Sequence, residues 1–177
     1  MLRGVNVGGQ KKIRMAELAS LYKSLGLVNI KIYVQSGNVV FNSAKSNTSA
    51  LANQIEAQIS RLLGYSVYVF IRETTDFQRI IASNPFLNKK KEDPAKLHVT
   101  FLYRPPSEAK LASLSIPNDQ GDEFFVGGQE IFLFCPNGYG RTKFSNTFFE
   151  KKLNVPATTR NWKTVMALHK MAAATNA

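Results

Sequence analysis

Apolar positions along the chain recur with two periods, one near 3.6 residues and one of 2, and the switches between them outline the fold. Leu2 to Val7 predicts a short strand that runs into a loop at Gly8-Gly9-Gln10-Lys11-Lys12. Met15, Leu18, Ala19, Tyr22 and Leu25 then follow a helical stripe that Gly26 closes. Ile30, Ile32 and Val34 alternate with Lys31, Tyr33 and Gln35, as a half-buried strand does. Ser36-Gly37 predicts a tight reversal into a second strand, Asn38 to Phe41. After a Ser/Asn/Thr-rich loop, Leu51, Ile55, Ile59, Leu62 and Leu63 make a second helical stripe ended by Gly64, and Val67 to Ile71 reads as a strand. The first half is thus expected as β-α-β-β-α-β, the split pattern of a ferredoxin-like unit.

The second half partly repeats this order. A short helix carrying Phe77, Ile80 and Ile81 is stopped by Asn84-Pro85, and residues 89–96 form the most polar stretch and the expected linker. Leu97 to Tyr103 predicts a strand, Ser107 a capped helix, and Gly127-Gly128 a hairpin between 123–126 and 131–135. Phe144, Phe148 and Leu153 predict another helix. Trp162, Val165, Met166 and His169 predict a closing helix with Thr159 as its cap. This half reads β-α-β-β-α-α, with no evident fourth strand. The expectation is an α+β protein of two ferredoxin-like lobes with mainly antiparallel sheets, residues 1–88 and 97–177.

Composition narrows the class. At 177 residues and 44% hydrophobic content the chain can bury a sizeable core, which excludes collagen, coiled coil and largely disordered classes. One cysteine, Cys135, rules out an intramolecular disulfide, and with two histidines it rules out a Cys/His zinc site. No apolar run approaches the roughly 18 residues of a membrane span, and the first residues are too poor in apolar side chains for a signal peptide. A soluble protein of the reducing cytoplasm is expected, with no membrane partner.

Charge points to a partner. The 23 Lys and Arg against 12 Asp and Glu give a net +11, concentrated in residues 1–43 (+5) and 141–177 (+6). Such a field attracts polyanions; simple solubility is the competing explanation.

Three motifs carry the candidate chemistry. They are Leu2-Arg3-Gly4-Val5-Asn6-Val7-Gly8-Gly9, Tyr33-Val34-Gln35-Ser36-Gly37-Asn38-Val39-Val40-Phe41 and Thr158-Thr159-Arg160-Asn161-Trp162-Lys163-Thr164-Val165. In this order they resemble the bacterial family catalogued as domain of unknown function 1697. The resemblance implies a two-lobed α+β fold of ferredoxin-like type and implies no known reaction.

Read residue by residue, the first motif fails the Walker spacing and lacks the third glycine of a dinucleotide fingerprint. The glycine pair Gly8-Gly9 between strand and helix can still turn N–H groups toward an anion, with Arg3, Asn6, Lys11 and Lys12 adding donors; a tight turn explains the same residues. Gln35, Ser36 and Asn38 sit at a hairpin tip, where turn chemistry and ligand contact both remain open. Tyr139, Arg141 and Lys143 fill a basic loop with one aromatic, suited to stacking a base and neutralising its phosphate, or to joining strand and helix. Thr159, Arg160 and Asn161 are placed at a helix N-terminus that favours anions. No catalytic constellation is visible: Cys135 reads as a buried hydrophobe, and neither His98 nor His169 has a carboxylate nearby in sequence. No cofactor or metal is implied.

The leading expectation is RNA or single-stranded DNA bound on a basic face. The alternatives are a small phosphorylated ligand, bound or transformed in a cleft between lobes, and a protein-interaction module. Oligomeric state stays open.

Overall fold

The computed structural model describes residues 1–7, 11–44, 47–114 and 121–175. It divides into two compact units, Met1–Thr74 with Ala167–Ala177, and Thr75–Met166. The segment 89–96, expected as the linker, is counted within the second unit.

In the first unit, α1 (Met15–Ser24) and α2 (Thr48–Leu63) follow the predicted stripes. Asn47 caps α2 by accepting from Ala50 N at 2.9 Å, and Gly64 ends it at φ +72°. Leu18, Tyr22, Ile55 and Ile59 are essentially inaccessible and form the centre of one core. The hairpin forms as expected, with β1 (Val28–Tyr33) antiparallel to β2 (Asn38–Asn42) and Tyr33 opposite Asn38.

The first and fourth expected strands of this unit do not appear as regular strands. Leu2 and Val69 make a single antiparallel bridge. Leu2 N also donates to Gly37 O at 2.9 Å, and Arg3 N to Tyr68 O at 3.0 Å. The segments therefore lie in the order 67–70, 1–3, β2, β1. The reason the first strand stops is local: Gly4 at φ +66° and Asn6 at φ +55° turn the backbone out of the extended region.

The second unit begins with α3 (Thr74–Ser83) and the single turn α4 (Pro85–Asn88), capped by Asn84. Its sheet contains β3 (Leu97–Leu102), β4 (Glu123–Gly127), β5 (Glu130–Phe134) and β6 (Ala157–Asn161). The order is β4-β5-β3-β6, and each neighbouring pair is antiparallel. The helices α5 (Glu108–Ala112) and α6 (Asn146–Leu153) connect them. Phe144, Phe149, Leu133 and Leu102 are fully buried in this unit's core; burying a side chain of that size is worth about 1.5–3 kcal/mol.

The fourth strand, β6, corrects the expected β-α-β-β-α-α order. Thr159 is not a helix cap but a mid-strand residue opposite Thr100. Strand and helix join with no intervening loop, because α7 (Trp162–Ala173) starts directly after Asn161. Asn161 Oδ1 accepts from Thr164 N at 2.8 Å and does the capping. A threonine ahead of helical periodicity looks the same in sequence whether it caps or pairs.

The charged segment belongs to the second unit for visible reasons. Glu92 N donates to Phe86 O, Asp93 caps the 3-10 turn Pro94–Lys96, and Lys90 pairs with Glu123. Buried Glu130 at the start of β5 meets Arg79 of α3 at 2.9 Å, which ties helix to sheet. Among the described residues, no helix is long and apolar enough to cross a membrane.

Candidate functional site

In the first unit, Asn6 joins two motifs that are remote in sequence. Its Nδ2 donates to Ile13 O at 3.0 Å and to Gln35 O at 2.9 Å, while its Oδ1 accepts from Ile13 N at 2.9 Å. One carboxamide thus closes the loop that starts at Asn6 and fastens it to the hairpin tip. Asn38 is wholly buried and donates to Ser36 Oγ at 2.8 Å. Gly37 is pressed against the N-terminal segment: a Cβ there would lie 2.6 Å from Val5 Cγ2 and 2.7 Å from Leu2 Cβ. Asn6, Ser36, Gly37 and Asn38 therefore hold the backbone, as turn chemistry requires. Lys11 lies across from residue 66, its Nζ donating to Ser66 O at 2.8 Å. Gly8 and Gly9 lie outside the described residues.

In the second unit, a polar network lies along the β3–β6 edge of the sheet. Thr159 Oγ1 donates to Asn146 Oδ1 at 2.6 Å and accepts from Tyr139 O–H at 3.0 Å. Thr100 Oγ1 lies 2.7 Å away on the paired strand. A hydroxyl has one proton and two lone pairs. Because Thr159's proton goes to Asn146, Thr100 must be the donor to Thr159. The Thr159 hydroxyl is then saturated and has nothing left for a ligand. The Tyr139 ring stacks on His98 with centroids 4.9 Å apart and planes at 26°.

This network anchors the loop 136–145 to β3, β6 and the first turn of α6. Two further bonds stiffen it, Gly138 N to Cys135 O at 2.9 Å and Arg141 N to Gly138 O at 3.1 Å. Arg141 and Lys143 are exposed on this anchored loop. Arg160 projects from the opposite face of β6 and is half-buried, donating to Thr158 Oγ1 and Thr159 O, both at 2.9 Å. Burial pulls its guanidinium down to about 10, partly countered by Tyr139. The anion site expected at a helix N-terminus shrinks to Asn161, since Thr159 and Arg160 lie within the strand.

Burial also lowers the pKa of His98, and donation from its ring to the Lys96 backbone carbonyl partly offsets this. Cys135 is completely buried, as its place after an apolar strand suggested. Glu123, at the start of β4, is paired with Lys90. Among the described residues no group of three His, Cys, Asp or Glu could hold a metal.

Sequence reasoning missed Thr100, Asn146 and the role of His98. Thr100 left one signal, a hydroxyl in the middle of the apolar strand Leu97-His98-Val99-Thr100-Phe101-Leu102. Asn146 left none, since its partner is set by tertiary placement.

With the two motif clusters in place, the chain's class follows: a two-unit protein of helices and antiparallel sheets. The chain belongs to the family described as protein of unknown function (DUF1697), whose model matches residues 1–132. The first two motifs fall inside that match, and the third, at 158–165, lies beyond it. The structure is similar to that of a conserved bacterial protein from Streptococcus pneumoniae, at 26% identity and a TM-score of 0.62, covering 97% of this chain and 96% of that one. No functionally curated protein matches the chain.

Proposed function

We propose that the protein binds single-stranded nucleic acid in the cytoplasm through phosphate neutralisation. The loop 136–145 is the contact in the second unit. The supporting observation is that this loop is anchored from beneath while presenting Arg141 and Lys143 to solvent. An anchored loop backbone leaves only the side chains to be ordered when the cations meet a phosphate. The net charge of +11 supplies the attraction that brings a polyanion to the surface. If phosphates are neutralised, log affinity for a mixed-sequence oligonucleotide falls linearly with log salt, by about 0.7 per phosphate for a single strand. A flat salt dependence would remove the reading.

One observation favours a second reading, a small phosphorylated ligand. Arg160 is half-buried with its guanidinium held by Thr158 Oγ1 and Thr159 O, and a phosphate dianion beside it would offset the cost of burying that charge. In that case, a nucleoside monophosphate would bind with one-to-one stoichiometry, and Arg160→Gln would abolish binding.

The finer fold reading is part of the same proposal: both units are ferredoxin-like lobes. Its support is the order of segments. Numbered along the chain, the four strands of the second unit's sheet run fourth-first-third-second, and the four extended segments of the first unit lie in the same order.

A further inference from the structure

The first unit holds ten Lys and Arg against three Asp and Glu. Within it, two segments more than fifty residues apart are fastened together. Lys11 Nζ donates to Ser66 O at 2.8 Å, and Tyr65 O–H donates to Lys12 O at 2.8 Å. These bonds lay the strip Lys11-Lys12-Ile13-Arg14 against the turn Gly64-Tyr65-Ser66-Val67-Tyr68. Lys11, Lys12 and Arg14 are exposed while Ile13 is buried, so the cations face water. Two carboxylates lie at this place: Glu17 accepts from Arg14 N at 3.4 Å, and Glu56 accepts from Val69 N at 2.7 Å.

Tyr68 is the aromatic that matters. It is 49% exposed between buried Val67 and Val69. Leu2 and Val69 pair and face the core, so by alternation Arg3 and Tyr68 leave on the opposite side. Arg3 N donates to Tyr68 O, which sets the two residues side by side. Tyr139, the aromatic suggested by the sequence, has one ring face on His98 and its proton on Thr159. Tyr68, at 49% exposure, lies beside Arg3 and close to a run of cations.

We infer that the first unit carries its own base-stacking site, in which Tyr68 stacks a nucleobase while Arg3, Lys11 and Lys12 neutralise the flanking phosphates. The inference rests on the nucleic-acid reading and assigns to it a second contact, separate from the loop 136–145. Aromatic stacking beside a cationic groove is how single strands are held without sequence preference.

The test uses the full chain at near-physiological salt, with a fluorescein-labelled single-stranded oligothymidylate and, as a polyanion without bases, heparin. Tyr68→Ala should weaken oligothymidylate binding about 5- to 100-fold and leave heparin binding unchanged. Tyr68→Phe should bind both like wild type, because the ring is kept. Lys11→Glu with Lys12→Glu should weaken both. Equal oligothymidylate binding by wild type and Tyr68→Ala overturns the stacking site, as does an equal loss for heparin. If Tyr68→Ala has no effect while Arg141→Glu with Lys143→Glu does, only this inference falls. If wild type binds no oligothymidylate at this salt, both it and the parent reading fall.

Discussion

The Asn6 carboxamide reaches the Gln35 carbonyl at 2.9 Å across 29 positions of chain. With its two bonds to Ile13, this contact makes Asn6 the joint between the N-terminal segment and the hairpin tip. Asn6 also sits at φ +55°, where asparagine is tolerated and alanine strained. Asn6→Ala should therefore cost about 2–4 kcal/mol, from lost hydrogen bonds and backbone strain together. Asn6→Gly, which keeps the backbone and loses the bonds, should cost less. Urea denaturation of the two variants checks the order.

Gly37 and Gly128 have the same φ, +71°, but different surroundings. A Cβ at Gly37 would meet Val5 and Leu2, whereas nothing lies within 4 Å at Gly128. Gly37→Ala should cost about 2–5 kcal/mol, strain plus overpacking, and Gly128→Ala about 1–2 kcal/mol from strain alone. Thermal unfolding of both variants separates the two contributions; equal losses would mean that the Leu2–Gly37 packing contributes nothing.

Thr159→Val removes the hydroxyl that three neighbours share. Tyr139, Thr100 and Asn146 would each lose a partner, and Thr100 is fully buried. A loss of about 2–4 kcal/mol is expected, against about 1 kcal/mol for Tyr139→Phe, which removes one bond. Since the Tyr139–Thr159 bond is part of the loop's anchor, Tyr139→Phe should also weaken oligonucleotide binding, but less than reversal of Arg141 and Lys143 does.

His98 makes stability depend on pH. Its folded pKa is below the ordinary value of 6.5, because burial disfavours the imidazolium. As pH falls through 6.5 the unfolded chain takes up the proton first, so stability must drop from there down to the folded pKa. Above 6.5 the contribution is flat. His98→Gln should reduce the slope between pH 6.5 and 5 in denaturant titrations, and an unchanged slope would assign the effect to other groups.

Much of the fold was legible because the helical stripes ending at Gly26 and Gly64 and the hairpins at Ser36-Gly37 and Gly127-Gly128 are local signals. What escaped depended on tertiary placement. Ala157 to Asn161 was hidden as a strand because Thr159 precedes helical periodicity and Asn161 caps the helix without an intervening loop. Leu2 to Val7 has strand composition, yet Gly4 and Asn6 bend it away after a single bridge. At the site, the residues singled out in sequence divide by what their atoms already do. Asn6, Asn38 and Thr159 spend their polar atoms on the scaffold, while Arg141 and Lys143 remain at the surface. Tyr68 drew no attention in sequence, because its neighbours Arg3 and Lys11 arrive from the other end of the first unit.

The central claim is phosphate neutralisation by the loop 136–145, and the most direct measurement compares two proteins. Wild type and the double variant Arg141→Glu, Lys143→Glu are titrated with a single-stranded oligonucleotide across a range of salt that includes near-physiological. Low salt alone decides nothing, because +11 attracts any polyanion there. Wild type should bind at near-physiological salt, and the reversal should weaken binding uniformly across oligonucleotide sequences, with a shallower salt slope, because phosphate contacts carry no base information. Failure of wild type to bind there, or equal binding by the double variant, would contradict the account.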